Sequence, residues 1–363
     1  MKNIDFRTDL SKTRIVLALS IIALFNGCSS NALKFESQVQ LEFRNYNLMS
    51  CPQYLGDNNY IYFDTSTTKL MLSNSLNGET QVLIDAKTNL KSLGHYKNFI
   101  FTTTDSSYIR IDLITKEIKE FQESHTCKYL NEEYYTLDFA ENAPIVAIDS
   151  VTILTRIYPL RINPSELNFY KKPILAILNL STKQYKVLTF SYPSIFFTNR
   201  YGSMNRIFYG LLKSGIYACD QVSGEIQFSK FGSDGIEIFN LKDERINTAP
   251  LDSIANSDFN ILFDHIDKTS YIADFFYNQF NNHFYRVLKL DKISFNNSND
   301  TVSKQPAVLQ ELDENYKITS EIILDKNQNF YRIINTEKGI LINNPKKGME
   351  RDNYNFQYIT SYD

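Results

Sequence analysis

Hydrophobic and polar positions alternate with a period of two along most of this chain, and the pattern is broken by short polar turns. Ile109-Arg110-Ile111-Asp112-Leu113-Ile114-Thr115-Lys116-Glu117-Ile118 reads as strand, tight turn, strand. Ile109 and Ile111 alternate with Arg110 and Asp112, and an Asx residue opens the turn. The same pattern recurs at Ile177-Leu178-Asn179-Leu180-Ser181-Thr182-Lys183, at Ala218-Cys219-Asp220-Gln221-Val222-Ser223-Gly224, and upstream at Leu72-Ser73-Asn74-Ser75-Leu76-Asn77-Gly78. Looser copies surround Asp291 and Asn335. In the four clear copies Ser, Thr or Asn stands three positions after the Asx residue, followed by Lys or Gly.

The six markers, at 74, 112, 179, 220, 291 and 335, are separated by 38, 67, 41, 71 and 44 residues. Three of these gaps match the ~40 residues of a four-stranded propeller blade. The reading is an all-β chain folded as a β-propeller of six blades, two with long insertions; seven or eight blades are the alternative, and unrelated hairpins in a β-sandwich a further one. Several apolar runs, such as Tyr271–Tyr277 and Phe284–Leu290, are continuous, as expected of strands buried on both faces between stacked sheets. Ile261–Phe263 and Phe196–Phe197 read as further strand segments, and no amphipathic helix of ten or more residues is expected in the body. Residues 39–363 form one domain, and a strand over Gln38–Arg44 is expected to close the ring against Tyr354–Ile359.

The N-terminus has a different pattern. Lys2, Arg7, Lys12 and Arg14 make a basic leader, and Ile15–Phe25 is an apolar run too short for the ~20 residues of a membrane span. Leu24-Phe25-Asn26-Gly27-Cys28 follows and resembles the lipobox of bacterial lipoproteins. The expectation is a signal peptide over 1–27, lipidation at Cys28, a tether over 28–38 and anchoring in the outer membrane. In the lipoproteins it resembles, an acidic run just after the Cys directs export to the cell surface; Ser29-Ser30-Asn31 is not acidic, so the resemblance implies the periplasmic face over the cell surface.

Composition adds little chemistry. The chain has 24 Tyr and 26 Phe but no Trp, which excludes a WD-type blade signature, and 36 Asn against 12 Gly, so Asn takes over left-handed turn positions. Net charge is −3, and an acidic body argues against nucleic acid as a partner. No nucleophile elbow, zincin, phosphate-loop or calcium-loop motif occurs, and no cofactor is implied. Ser66-Thr67-Thr68-Lys69 has the spacing of a serine–lysine pair but lacks the partner motifs. Cys51, Cys127 and Cys219 form no CxxC pair, and Cys219 reads as a small buried residue of an inner strand.

Asp264, His265 and Asp267 are suitable residue types for a metal, weighed against an ordinary acidic hairpin turn. Arg286 and Arg332 each end a Phe-Tyr-Arg repeat and either pair with acidic turns of a neighbouring blade or line the central channel. Arg156, Tyr158, Arg161, Arg200, Tyr201 and Arg206 mix aromatics with cations in and after the first long gap, a composition that suits glycan or peptide binding or packing on the ring. Asp149-Ser150-Val151, Asp252-Ser253-Ile254 and Asp300-Thr301-Val302 resemble the triplet used for protein O-glycosylation in Bacteroidetes.

Lipobox, all-β body, Asn-rich hairpins and the Phe-Tyr-Arg repeats together resemble a family of Bacteroidetes lipoproteins with a six-bladed, TolB-like propeller. The resemblance implies no reaction and no functional residue beyond Cys28. The expected function is therefore a non-catalytic binding or scaffold module for a peptide or glycan partner in the envelope. The alternative is a carbohydrate-active enzyme using carboxylates at the channel mouth.

Overall fold

A computed structural model describes residues 33–41, 52–291 and 306–360, omitting 65–66, 78, 86–89, 105, 123–125, 137–143, 163–165, 202–203, 242, 252–258, 325–328 and 344–353. Six antiparallel sheets follow one another along the chain. Blade 1 is β2 (Gln53–Gly56), β3 (Asn59–Asp64), β4 (Lys69–Asn74) and β5 (Thr80–Asp85). Blade 2 is β6 (Leu93–Tyr96), β7 (Phe99–Thr103), β8 (Ser107–Asp112) and β9 (Ile118–Gln122). In blade 3, a short β12 (Val146–Ala147) leads to β13 (Thr152–Pro159), β14 (Leu175–Asn179) and β15 (Gln184–Val187). Blade 4 is β16 (Ile207–Leu212), β17 (Gly215–Asp220), β18 (Glu225–Lys230) and β19 (Glu237–Asn240), and blade 5 is β20 (Tyr271–Asn278), β21 (His283–Lys289), β22 (Ala307–Leu312) and β23 (Ile318–Leu324). The protein is a six-bladed β-propeller.

The last blade closes the ring. Strands β24 (Asn329–Thr336), β25 (Gly339–Asn343) and β26 (Tyr354–Thr360) take their outer partner from the other end of the chain, β1 (Lys34–Leu41), with Val39 opposite Phe356 and Leu41 opposite Tyr354. The closure is as expected, but β1 begins four residues earlier, inside the expected tether, and ends at Leu41. The signal peptide and Cys28 lie outside the described residues.

Burial falls off radially. Second and third strands such as β17 and β22 are buried at every position, whereas the outer strands β5 and β9 are mostly exposed. The apolar runs that do not alternate are thus the strands sandwiched between neighbouring blades. Cys219 is buried, in the second strand of its blade and not in the innermost one.

The repeated turn works as its sequence implies. Asn74, Asp112, Asn179 and Asp220 each use Oδ1 to accept the backbone N–H groups two and three residues on, at 2.7–3.4 Å. Lys116, Lys183 and Gly224, each four positions after a marker, have φ of 63°, 58° and 70°. That left-handed position accounts for Gly at the end of the motif, whereas Lys116 and Lys183 adopt it despite their Cβ. The copies are nevertheless not equivalent. Markers 74, 112 and 179 join third and outer strands, Asp220 joins second and third, and Asn335 lies within the innermost strand β24. Six markers count six blades, but the turn moves between hairpins from one half of the ring to the other.

The first long gap holds an added hairpin and no further blade. β10 (Thr126–Tyr129) pairs with β11 (Glu132–Thr136), and β11 pairs with the far half of β13, whose near half pairs with β12. Two segments expected as strands are helical. Residues Ser194–Phe197 form a 3₁₀ turn after Pro193. Ile261–Phe263 belongs to α1 (Phe259–Asp267), where Ile266 packs on the core while Ile261 is 46% exposed. Phe259, Leu262, Phe263 and Ile266 follow a helical spacing that the short apolar triplet conceals.

Candidate ligand-binding site in the central channel

The inner strands of the six blades surround a cavity of about 390 Å³. Its lining draws on all six: Gln53 and Tyr54 of β2, His95 of β6, Val146 and Ala147 of β12, β16 from Ile207 to Leu211, β20 from Asp274 to Tyr277, and β24 from Ile333 to Asn335.

Asp274 is the one acidic residue among the described lining residues. A β-bulge aims it there. Ile272 faces Leu288 and Asp274 faces Val287, so Ala273 is the extra residue. The bulge lets Ile272 and Phe275, three apart, both pack in the cluster between blades 4 and 5, which a regular strand cannot do. Asp274 is left turned to the cavity and accepts the Phe275 N–H at 2.9 Å. Burial raises its carboxyl to about 6, against the opposing charge of Arg206. Arg206 immediately precedes β16, is exposed, and lies over the Phe208 ring at 5.0 Å.

Across the ring, blade 2 contributes His95. Its Nδ1 is 2.9 Å from Oε1 of Gln53, and Nε2 of Gln53 donates to the Leu93 carbonyl at 2.7 Å. Burial lowers the imidazole to about 4, so it is neutral at physiological pH. Asn335 donates through Nδ2 to the Tyr277 carbonyl at 3.1 Å, and its buried Oδ1 has no partner among the described residues. Tyr54 and Phe280 meet edge to face at 5.3 Å and, with Phe208 and Phe276, give the wall aromatic surface.

Of the residues singled out from sequence, Arg206 lines this cavity. Arg156 is buried in blade 3, donating to Tyr192 Oη at 2.8 Å and the Asn205 carbonyl at 2.9 Å, with Tyr158 beneath it at 4.7 Å. Tyr201 is buried against Phe196, and Arg200 is half-buried beside it. Arg161 is exposed near Glu133 at 3.7 Å. Arg286 is wholly buried between blades 4 and 5, bonded to Gln310 at 2.8 Å, the Leu241 carbonyl at 3.0 Å and Asp243 at 3.4 Å. It takes the pairing option and not the channel. Arg332 falls in β24, and its side chain lies outside the described residues.

Asp264, His265 and Asp267 lie on α1 and not in a hairpin turn; Asp264 pairs with Lys268 at 2.7 Å, and no group of three metal-ligating side chains converges among the described residues. Lys69 sits 3.8 Å from Asp85, and Ser66 lies outside the described residues. Of the three glycosylation triplets, Asp149-Ser150-Val151 is described; it is half-buried, and the Ser150 carbonyl accepts from Arg110 at 3.1 Å.

Sequence reasoning missed His95, Gln53, Asn335 and Asp274 as wall residues. Asp274 did leave a signal, a lone carboxylate inside the apolar run Tyr271–Tyr277. The Gln53–His95 pair left none, because 42 residues and a blade boundary separate them.

No family model matches the sequence, and no curated protein matches it. Solved structures do. A member of the DUF4221 family from Bacteroides vulgatus aligns over 92% of this chain and 100% of its own, with a TM-score of 0.68 at 15% identity. The two share a fold. An exported protein from Bacteroides fragilis aligns over 92% of this chain and 97% of its own, with a TM-score of 0.54 at 11% identity. TolB from Acinetobacter baumannii gives 0.42 at 12% identity, over 84% of this chain and 65% of its own.

Proposed function

We propose that this protein is a non-catalytic binding propeller of the bacterial envelope that takes its ligand, a glycan or a peptide segment, in the central channel. The observation that carries the reading is the cavity of about 390 Å³ between all six inner strands, with an aromatic wall and a few placed polar groups. That combination is typical of small-molecule sites, which span ~300–1,000 Å³. The carbohydrate-active alternative needs two carboxylates ~5–10 Å apart, and Asp274 is the one acid on the described wall. The lipobox at Cys28 supports a lipid anchor in the outer membrane, with the propeller on the periplasmic side. The Bacteroides fragilis protein of similar fold is described as exported, in keeping with that compartment.

Two measurements test the proposal. Immobilised protein exposed to glycan and peptide fractions of an envelope extract should retain a ligand that an Arg206→Ala/Asp274→Ala variant retains poorly. Equal retention by both would remove the channel from the reading. Labelled palmitate should enter the wild type and not Cys28→Ala; a label in neither would remove the anchor.

A further inference from the structure

We infer that the channel selects a neutral polyhydroxylated ligand, one or two sugar rings in size, held by hydroxyl groups that donate hydrogen bonds to acceptors on opposite blades. This rests on the channel being the binding site and deepens that reading by naming the ligand's chemistry.

The Leu93 carbonyl can only accept. It fixes the Gln53 amide with Nε2 toward it, so Oε1 faces His95. An amide oxygen also only accepts, so His95 Nδ1 must carry the hydrogen. A neutral imidazole protonated at Nδ1 presents Nε2 as an acceptor. His95 lines the cavity, and no partner for Nε2 occurs among the described residues. A backbone carbonyl in blade 2 thus sets the polarity of a ring nitrogen at the channel.

The other polar groups agree. Asp274, in the opposite blade, offers carboxylate oxygens, one of which already accepts the Phe275 N–H. Asn335 donates through its amide nitrogen to the Tyr277 carbonyl, and its unpartnered Oδ1 is buried and not open to the cavity, so it is not counted among the acceptors a ligand meets. Blades 2 and 5 therefore present acceptors from opposite sides, while the Arg206 guanidinium stands just before its strand and beside Asp274, and Lys91 adds a second cation to the wall.

A ligand buried here must bring donors, because an acceptor facing an acceptor costs each its hydrogen bond, about 1–3 kcal/mol per buried group. An anion gains from Lys91 and Arg206 but meets the Asp274 carboxylate and the His95 acceptor on opposite sides of the cavity. A peptide brings a carbonyl for every N–H. A cation gains from Asp274 but competes with Arg206 for it, and meets no second negative charge among the described lining residues. A sugar hydroxyl donates in any direction and accepts from Arg206 when required. Its ring presents C–H faces to aromatic side chains, which Tyr54, Phe208 and Phe276 supply. The cavity, at the small end of ligand sites, suits one or two rings.

The test uses the intact chain. Calorimetric titration with neutral hexoses, N-acetylhexosamines and their disaccharides is compared with alkyl amines, dicarboxylates and tripeptides. At least one neutral saccharide should bind saturably, and His95→Phe, which keeps a flat ring but removes the acceptor, should weaken it about tenfold or more. A second readout needs no ligand. Nitrogen-15 NMR of the wild type should show His95 protonated at Nδ1, and Gln53→Leu should convert it to a mixture with Nε2–H and weaken the saccharide similarly. Finding the wild-type ring protonated at Nε2 would overturn the inference, as would binding of amines, dicarboxylates or peptides without sugars, which leaves the channel a site of another kind. If no compound binds and the His95 resonances never move, both this inference and the channel's role fail.

Discussion

Two titratable residues on the channel wall pull stability in opposite directions with pH. Asp274 holds its proton up to about pH 6 because burial disfavours its anion, whereas in the unfolded chain a carboxyl releases it near pH 4. The folded state binds more protons in that window, so this group makes stability fall as pH rises from about 4 to 6. His95, lowered to about 4 by burial, is neutral when folded and protonated when unfolded below about 6.5. Its contribution is present above the unfolded value and lost as pH falls toward 4, so stability rises with pH over nearly the same window. The two slopes offset one another. Relative to the wild type, Asp274→Asn should make stability climb more steeply with pH between 4 and 6, and His95→Gln should make it fall. Urea midpoints at half-unit pH steps read both slopes; profiles parallel to the wild type would show that neither group is perturbed as described.

Among the elements, the contact between blades 4 and 5 is held by an unusual tie. Arg286, in the second strand of blade 5, is wholly buried, and Asp243, in the segment after blade 4, accepts from it, from Gln310 and from Arg245. Burial pushes the Asp243 carboxyl up, but the Arg245 and Gln310 hydrogen bonds outweigh it and hold it well below the usual range. Glu321 completes the cluster through Arg245 at 2.8 Å. Arg286→Met breaks a buried pair and should cost about 3–5 kcal/mol in urea unfolding. Arg245→Met, with a side chain 36% exposed, should cost about 1 kcal/mol or less. Equal losses would mean that the buried cation does not hold the blades together. The Phe-Tyr-Arg sequence flagged Arg286 as special, yet its partners lie 24 and 43 residues away, so its role in the tie was decided by which blades stack.

At the scale of the molecule, ring closure depends on nine residues near the N-terminus. β1 covers the edge of β26, which otherwise presents unpaired N–H and C=O groups. Deleting residues 33–41 should lower the melting temperature, broaden or split the unfolding transition, and speed amide exchange over 354–360. An unchanged transition with full protection there would show that the ring closes without β1. The closing strand starts six positions after Cys28, so the lipidation expected there would attach directly to the element that completes the ring.

Local chemistry was legible in the sequence wherever it is complete within a few residues. An Asx residue followed by a polar third position makes a turn whatever surrounds it, so the hairpins could be read locally, and the marker spacing favoured six blades while leaving seven or eight open. Continuous apolar runs likewise marked strands buried on both faces, except at Phe196–Phe197 and Ile261–Phe263, where two or three residues cannot separate a period of 2 from a helical one. The channel was different. Its wall takes one strand from each blade, and whether an arginine faces that wall, an aromatic cluster or a neighbouring blade depends on register, bulges and stacking across tens of residues. Arg206 reached the cavity, whereas Arg156 and Arg286, of the same residue type, were taken into buried networks. Only the stacking of blade 1 on blade 2 set Gln53 against His95, and that contact determines which nitrogen of the imidazole faces the channel.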